Sequence, residues 1–221
     1  MSLPSFITFT GADDETSIDD MDQLALDYPV EFGILFSPKR QGSGRYPSLG
    51  WVRMLLKDLR GSIILSAHLC GDDARAVIQS GKSQHDALLC GYFARAQINT
   101  AYRDVDHSII NAWAAYAVEL DPILQCREGF PSVRGIGFLF DASGGRGIPS
   151  AWWPRAPSGQ FVGYAGGLNP SNVAAAVAEI GTLATDYWID METGVRDEHD
   201  RFSIEKCRAV CEAVYGVRKA Q

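Results

Sequence analysis

Residues 161–170, FVGYAGGLNP, run from an apolar strand through a glycine turn into the start of a helix. Asn169 is a favoured helix-capping residue, and Pro170 suits the first helical position because its ring presets the backbone angle φ. Gly181 then marks the end of the helix. A strand that passes directly into a helix is the repeating unit of folds in which helical crossovers join parallel strands.

The same unit recurs along the rest of the chain, where short apolar runs alternate with amphipathic stretches of helical period. The fifth strand is an exception, because the helix after it is missing or very short. The predicted strands comprise residues 6–10, 32–36, 62–67, 93–99, 122–126, 135–141, 161–165 and 187–191. Their continuous apolar character is typical of parallel strands that are covered on both faces. This pattern predicts one (β/α)8 barrel domain over residues 1–221.

Composition and charge exclude several classes of protein. The 221 residues are 46% hydrophobic and 21% charged, with a net charge of −7 and no dense run of Lys or Arg. An acidic chain without a basic stripe is a poor nucleic-acid binder, and no apolar stretch reaches the ~20 residues that span a bilayer. The chain begins without a signal-peptide pattern. We therefore expect a cytoplasmic monomer or homodimer, with neither nucleic acid nor membrane as a partner.

Glycine-rich loops follow the last three predicted strands, at residues 143–147, 165–169 and 192–195. Glycine lets the backbone approach a ligand closely and turn its N–H groups toward it. In barrels of this type, the loops after the seventh and eighth strands frequently bind phosphate. A tight strand–helix turn explains each loop equally well, but three in succession predict a phosphorylated small molecule as the ligand. The candidate phosphate-binding residues are Gly145, Gly147, Gly166, Gly167, Thr193 and Gly194.

The motifs around these loops resemble those of phosphoribosylanthranilate isomerases, which are enzymes of tryptophan biosynthesis. AGGLNPSNV at residues 165–173 closely matches the family's AGGLNPxNV, and LFD at residues 139–141 resembles its LLD. DMETGV at residues 190–195 is similar to the family's DVSSGVE. FSP at residues 36–38 with RY at residues 45–46 resembles FxxSPRY, with an insertion between the two parts. The match touches most of the chain and is best in its C-terminal part.

The resemblance implies a (β/α)8 isomerase that rearranges a phosphoribosyl-aminobenzoate without a cofactor. The family uses a cysteine base on its first strand and an aspartate acid on its sixth. Asp141 stands at the acid position, whereas Thr10 stands where the cysteine is expected. A threonine hydroxyl is far too weak an acid to replace a thiol near neutral pH. Arg196 also replaces the family's glutamate after the eighth strand.

Two residues are candidates for catalysis. Asp141 ends the sixth strand, where a carboxylate commonly acts on the ligand, although it could instead cap the glycine loop that follows. His68 follows the third strand and titrates near neutrality, so it could replace the missing base, while a hydrogen-bonded structural role is equally open. Cys70 is a weaker candidate for the base. No metal site is expected, because the second strand offers no metal ligands.

Three further residues are candidates for binding the substrate. Asp190 ends the eighth strand and matches a ligand-binding aspartate of the family, and Thr10 ends the first strand. Arg45 resembles the arginine that would meet a substrate carboxylate through two parallel hydrogen bonds. The alternative for Arg45 is a solvated loop residue.

The function is left with three alternatives. The first is an isomerase-like enzyme for a phosphorylated sugar or phosphoribosyl compound, with Asp141 as general acid and a base other than cysteine. The second is the family's own isomerase reaction with its base replaced. The third is a barrel that binds a phosphorylated metabolite without turning it over, which Thr10 at the cysteine position favours.

Overall fold

The computed structural model describes residues 2–100 and 105–218 and contains a closed barrel of parallel strands in chain order. The strands are β1 (Ile7–Thr10), β2 (Val30–Phe36), β3 (Leu65–Leu69), β4 (Arg95–Ile98), β5 (Asp121–Cys126), β6 (Gly137–Asp141), β7 (Val162–Ala165) and β8 (Tyr187–Met191). β1 pairs with both β2 and β8, which closes the ring. The predicted (β/α)8 architecture is thereby confirmed.

Helices on the outside of the ring join most of the strands. They are α1 (Ile18–Asp27), α2 (Leu49–Lys57), α3 (Asp72–Ser80), α4 (Asp86–Leu89), α5 (His107–Trp113), α6 (Val173–Ile180) and α7 (Ile204–Tyr215), with a π-helical turn Ala114–Val118 after α5 and a 3-10 turn Thr193–Val195 after β8. Ser17, Ser48 and Ser203 cap α1, α2 and α7 by accepting a backbone N–H. Among the described residues, no helix is both long and apolar enough to cross a membrane.

Two connections lack a helix within the described part of the chain, β5 to β6 and β6 to β7. The sequence predicts the first gap but not the second. Aromatic loop residues cover the strands there, since the Trp153 ring centre lies 6.2 Å from that of Phe140 and 5.8 Å from that of Tyr164. Phe130 lies 5.3 Å from Tyr164, edge to face. Rings in this arrangement bury large apolar areas, so the loops replace the missing helices as a cover.

A buried ion pair occupies the N-terminal end of the barrel interior. Arg95 on β4 donates to both carboxylate oxygens of Glu31 on β2, at 2.6 and 2.9 Å, and Thr8 on β1 donates to Glu31 at 2.9 Å. The guanidinium carbon lies 4.4 Å from the ring centre of Trp188 and 4.6 Å from that of Phe6. A buried ion pair is tolerated where its geometry is good and its hydrogen bonds are made, as they are here.

The position of β3 differs from the prediction. The strand begins at Leu65 rather than at Ser62, because a turn precedes it in which the Ile63 N–H donates to the Arg60 carbonyl at 3.0 Å. His68 was predicted to follow the third strand, and this is wrong. It lies inside β3, where it pairs in register with Leu35 of β2.

The start of α6 also differs from the prediction. The helix begins at Val173 with Asn172 as its cap, whereas Asn169 and Pro170 were predicted as cap and first residue. The side chain of Asn169 accepts the Ser171 N–H at 2.9 Å, a local turn that competes with helix capping. The Asn169 carbonyl still accepts the Val173 N–H at 3.0 Å, so this turn leads directly into the helix.

Replacing Gly163 by alanine is expected to destabilise the barrel. On β7, an added Cβ at this position would stand 2.3 Å from the nearest atom of Trp188 and 2.6 Å from that of Leu139, and such overpacking typically costs about 1–3 kcal/mol. The measurement is the free energy of unfolding in urea. Gly50→Ala on α2 is the control, because its Cβ would meet nothing closer than 3.6 Å and alanine favours a helix. Unchanged stability in Gly163→Ala would contradict this packing.

Candidate functional site

A cavity of about 460 Å³ opens at the C-terminal ends of the strands. Cavities of this size hold small-molecule ligands, and the active sites of (β/α)8 barrels lie at this end. The residues that the sequence predicts for the site all contribute to its lining, namely Thr10, Arg45, His68, Asp141, Gly145, Gly147, Gly166, Gly167, Asp190, Thr193 and Gly194. The structure thus brings them together, while the role of each stays a prediction.

Thr10, His68 and Asp190 form a buried central cluster in the cavity, although they come from β1, β3 and β8. The Thr10 hydroxyl donates to Asp190 Oδ1 at 3.2 Å and lies 3.5 Å from His68 Nε2. His68 Nε2 is 3.6 Å from Asp190 Oδ2. A hydroxyl, an imidazole and a carboxyl so close together can hold and move a proton.

Gly33 on β2 makes room for the central cluster. A Cβ added to Gly33 would lie 2.4 Å from Thr10 Oγ1 and 2.9 Å from His68 Nε2, so any other residue would displace one of these side chains. We did not predict this role from the sequence. The available signal was a glycine inside an apolar strand, which often marks a place where another group approaches the backbone closely.

Burial controls the charge of the central cluster. Burial lowers the pKa of His68 to about 3, and the positive charge of Arg95 acts in the same direction. Burial raises the pKa of Asp190 well above its usual 3.8, and the negative charge of Glu192 adds to the effect. In each case desolvation disfavours the charged form. At neutral pH the imidazole is therefore neutral, and the expectation that His68 titrates near neutrality is wrong, because burial disfavours its protonated form. The Asp190 carboxyl is biased toward its protonated form.

Asp141, the predicted general acid, is held by the loop that follows β6. Its Oδ1 accepts hydrogen bonds from the Ser143 amide at 2.9 Å and the Ser143 hydroxyl at 2.7 Å. Its Oδ2 accepts a hydrogen bond from the Gly145 amide. Asp141 therefore caps the glycine loop that follows it, as the structural alternative predicts. A catalytic role for Asp141 stays a prediction.

The glycine-rich loops pack against one another at the edge of the cavity. A Cβ on Gly147 would lie 3.1 Å from Thr193 Oγ1, and a Cβ on Gly194 would clash with the carbonyl oxygen of Leu168. Gly167 has φ +60°, a left-handed conformation that favours glycine. Close packing and backbone conformation thus explain these glycines without reference to a ligand.

The same loops leave backbone donors unused. Within residues 2–100 and 105–218, the N–H groups of Gly147, Gly167 and Gly194 donate to no protein acceptor, although all three residues line the cavity. Backbone N–H groups need an acceptor when water is excluded, and concave groups of them bind anions. These three N–H groups are therefore available to an acceptor from outside the protein, at residues that line the cavity.

Arg45, predicted to meet a substrate carboxylate, is engaged by acidic residues of the protein itself. Its Nη1 donates to Glu192 Oε1 at 2.8 Å and to Thr193 Oγ1 at 2.9 Å. Its Nη2 and Nε donate to the two carboxylate oxygens of Asp200 at 2.8 and 3.3 Å. Arg45 is thus not the solvated loop residue of the alternative interpretation. It joins the loop after β2 to the loop after β8.

Arg196 and Asp13 form a buried ion pair that we did not predict. Arg196 Nη2 lies 2.7 Å from Asp13 Oδ2, and its Nη1 donates to the Gly11 carbonyl at 2.7 Å. Arg196 Nε also lies 3.0 Å from Asp200 Oδ1. The loops after β1 and β8 are thereby joined. The sequence showed only that an arginine stands at position 196. It did not show that Asp13 would be the partner of this arginine.

Neutral polar groups line the wall that β3 and β4 form. Asn99 donates to Cys70 Sγ at 3.1 Å, and Gln97 donates to the side-chain oxygen of Asn99 at 2.7 Å. Burial raises the pKa of the Cys70 thiol, which keeps it protonated and makes it a poor base. In the described part of the chain, no three His, Cys, Asp or Glu side chains are arranged to hold a metal ion.

Comparisons with known proteins bear on the fold. No protein-family model matches the chain, and no curated protein matches its sequence. Solved structures do match. TrpF from Jonesia denitrificans is 18% identical with a TM-score of 0.67, over 96% of this chain and 97% of that one. The phosphoribosyl anthranilate isomerase of Thermus thermophilus is 20% identical with a TM-score of 0.64, over 96% and 99%.

A third similar structure is a phosphoribosyl anthranilate isomerase in complex with reduced 1-(o-carboxyphenylamino)-1-deoxyribulose 5-phosphate. It is 14% identical with a TM-score of 0.63, over 98% of this chain and 100% of that one. These structures confirm the resemblance to phosphoribosylanthranilate isomerases at the level of the fold. A shared fold does not by itself establish a shared reaction.

The neutral, buried imidazole of His68 predicts that stability depends on pH. In the folded chain the imidazole stays neutral down to about pH 3, whereas in the unfolded chain it takes up a proton below its usual pKa of 6.5. The unfolded state then binds more protons than the folded state. The His68 contribution to the free energy of unfolding therefore falls as pH drops below 6.5, by up to about 1.4 kcal/mol per pH unit for one such group. The raised pKa of Asp190 acts in the opposite direction, so the effect of His68 is read from the difference between the unaltered chain and a His68 variant.

Urea unfolding between about pH 7 and pH 5 measures this slope. His68→Gln removes the group and is expected to flatten the profile. His199→Gln is the matched control, because His199 is exposed and its loss should leave the slope unchanged. A profile for His68→Gln as steep as that of the unaltered chain would contradict the burial of a neutral imidazole.

Proposed function

We propose that this chain is an isomerase that acts on a phosphorylated sugar or phosphoribosyl compound. The observation behind the proposal is a shared location, because the unused N–H groups of the glycine loops and the central cluster line one cavity. One part of the cavity suits an anion, and another suits proton transfer. The structural neighbours, which are phosphoribosyl anthranilate isomerases, support the same class of reaction.

The phosphate of the ligand is proposed to lie against Gly145, Gly147, Gly166, Gly167 and the turn Thr193–Val195. Phosphate oxygens accept hydrogen bonds from backbone N–H groups that converge on one point. Thr193 adds a hydroxyl that can donate to a further oxygen. The partial positive charge of the N–H groups stands in for a lysine or arginine side chain.

The reaction is proposed to be a proton shift next to a carbonyl or imine group. His68 takes the proton from the neighbouring carbon, and Asp141 protonates the carbonyl oxygen or imine nitrogen, which gives an enol or enamine. His68 then returns its proton to the former carbonyl or imine carbon, while Asp141 regains a proton from the hydroxyl group on the neighbouring carbon, which becomes the new carbonyl. The substrate is neither oxidised nor reduced overall and needs no cofactor. Asp190 and Thr10 are proposed to bind substrate hydroxyl groups beside His68.

A second candidate function is binding without turnover. Both carboxylate oxygens of Asp141 are engaged by the loop of Ser143 and Gly145, and Thr10 cannot act as the family's base. These observations favour a barrel that keeps the anion site and lacks the chemistry. The two candidates differ in a measurable way, because only the enzyme exchanges substrate protons with solvent.

Solvent exchange therefore distinguishes the two candidates. The chain is incubated in D2O with a panel of pentose and hexose phosphates, and deuterium next to the carbonyl is read by NMR. We expect incorporation into at least one compound, and a loss of about 100-fold or more in His68→Gln and in Asp141→Asn. Asp58→Asn, on the exposed end of α2, is the control. Binding without incorporation would favour the second candidate.

Complementation of a tryptophan auxotroph tests the family's own reaction. One structural neighbour holds a ligand with a carboxyphenyl group. To take such a ligand here, Arg45 would have to leave Glu192 and Asp200. We expect no growth with the unaltered chain, because Thr10 supplies no thiol, and none with Thr10→Cys, because Arg45 stays paired. Growth in either case, with expression checked by immunoblot, would contradict this expectation.

A further inference from the structure

Arg45 has little capacity left to bind a ligand. A guanidinium group presents a planar fork of N–H donors, and all three nitrogens of Arg45 already donate to Glu192, Thr193 or Asp200. The edge formed by Nε and Nη2 would be the natural partner of a ligand carboxylate. That edge is occupied by both oxygens of Asp200, so a ligand could gain it only by displacing this side chain.

Asp200 is held in place from other sides as well. Its Oδ1 accepts a hydrogen bond from Arg196 Nε at 3.0 Å, and its backbone carbonyl accepts one from the same nitrogen at 2.8 Å. Arg196 is itself anchored to buried Asp13. Displacing the Asp200 side chain, which is 58% exposed, would therefore break hydrogen bonds to two arginines rather than to one.

Glu192 and the uncharged side chains near Arg45 favour a neutral or cationic partner. Glu192 uses Oε1 for Arg45, and its Oε2 has no partner among the described residues. Burial raises the pKa of Tyr46 and of Cys70, which keeps both uncharged. Arg40 is exposed and lies over the Tyr46 ring at 4.4 Å, where water weakens its attraction for an anion.

We propose that the end of the ligand away from the phosphate carries hydroxyl or amino groups and no carboxylate, and that Glu192 Oε2 accepts a hydrogen bond from it. This substrate class rests on the proposed function, since it assumes a phosphorylated ligand in the cavity. A ligand carboxylate would meet Glu192 and Asp200, and like charges at short range repel. A hydroxyl or ammonium group would instead use the vacant acceptor.

Matched phosphorylated compounds test the proposal by titration calorimetry. Glucitol 6-phosphate and 6-phosphogluconate share their chain length and phosphate, and differ only in a hydroxymethyl or carboxylate group at the far end. The unaltered chain should bind the alcohol at least about tenfold more tightly, which corresponds to about 1.4 kcal/mol. Glucosamine 6-phosphate should bind at least as tightly as glucose 6-phosphate, because its ammonium group suits Glu192.

Two variants assign the preference to residues. Asp200→Asn removes a negative charge and weakens the hold on the Nε–Nη2 edge of Arg45, while asparagine also tolerates the left-handed φ of +58° at this position. We expect it to bind 6-phosphogluconate more tightly and to reduce the preference below about threefold. Glu198→Gln is the control, because Glu198 belongs to the same loop but is exposed. Its preference should equal that of the unaltered chain.

The outcomes separate this proposal from the proposed function. Equal affinity for the two compounds, or tighter binding of 6-phosphogluconate, would overturn the proposal that the ligand carries no carboxylate. Phosphate binding would not be contradicted by either result. If Asp200→Asn still prefers glucitol 6-phosphate as strongly as the unaltered chain does, the acidic residues do not cause the preference, and that part of the proposal is overturned. If neither compound binds and inorganic phosphate does not bind either, the proposed function fails, and the substrate class fails with it.

Discussion

The pairing of β1 with β8 closes the barrel, and the candidate site depends on this closure. It sets Thr8 beside Asp190, which brings strands from the two ends of the chain together and places the Thr10 hydroxyl against the Asp190 carboxyl. A closed ring of eight strands leaves an interior that side chains just fill. The interior therefore has no room for a side chain at position 33, because Thr10 and His68 occupy that space. Gly33 has no side chain and so fits.

Inside the ring, buried polar groups form two layers. In the lower layer, Arg95 and Glu31 form an ion pair in which Arg95 donates to both carboxylate oxygens of Glu31. Above them, burial lowers the pKa of His68 and raises the pKa of Asp190, so both groups are biased toward their neutral forms. The charge of Arg95 also opposes protonation of His68. The lower layer thus helps to keep the imidazole of the upper layer neutral.

Local patterns in the sequence were sufficient to predict the strands, apart from the bounds of β3, and the glycine loops. The eleven predicted site residues are among those that line the cavity. Features that depend on contacts between distant residues were not predictable in this way. His68 lies inside β3 because of a turn and a register that only the folded sheet defines. The partners of Arg45 and Arg196, which are Asp200 and Asp13, come from other loops. The residue type of Arg45 suggested a ligand carboxylate, but it could not reveal that the guanidinium already had partners.

We propose that the glycine-rich loops after β6, β7 and β8 form one anion site. Amide chemical shifts of the nitrogen-15-labelled chain, followed during titration with inorganic phosphate, test it most directly, because each unused N–H reports its own hydrogen bonding. We predict that the amides of Gly147, Gly167 and Gly194 shift together with a single dissociation constant, while that of Gly50 on α2 does not. Shifts confined to other residues, or none at all, would contradict an anion site at these loops.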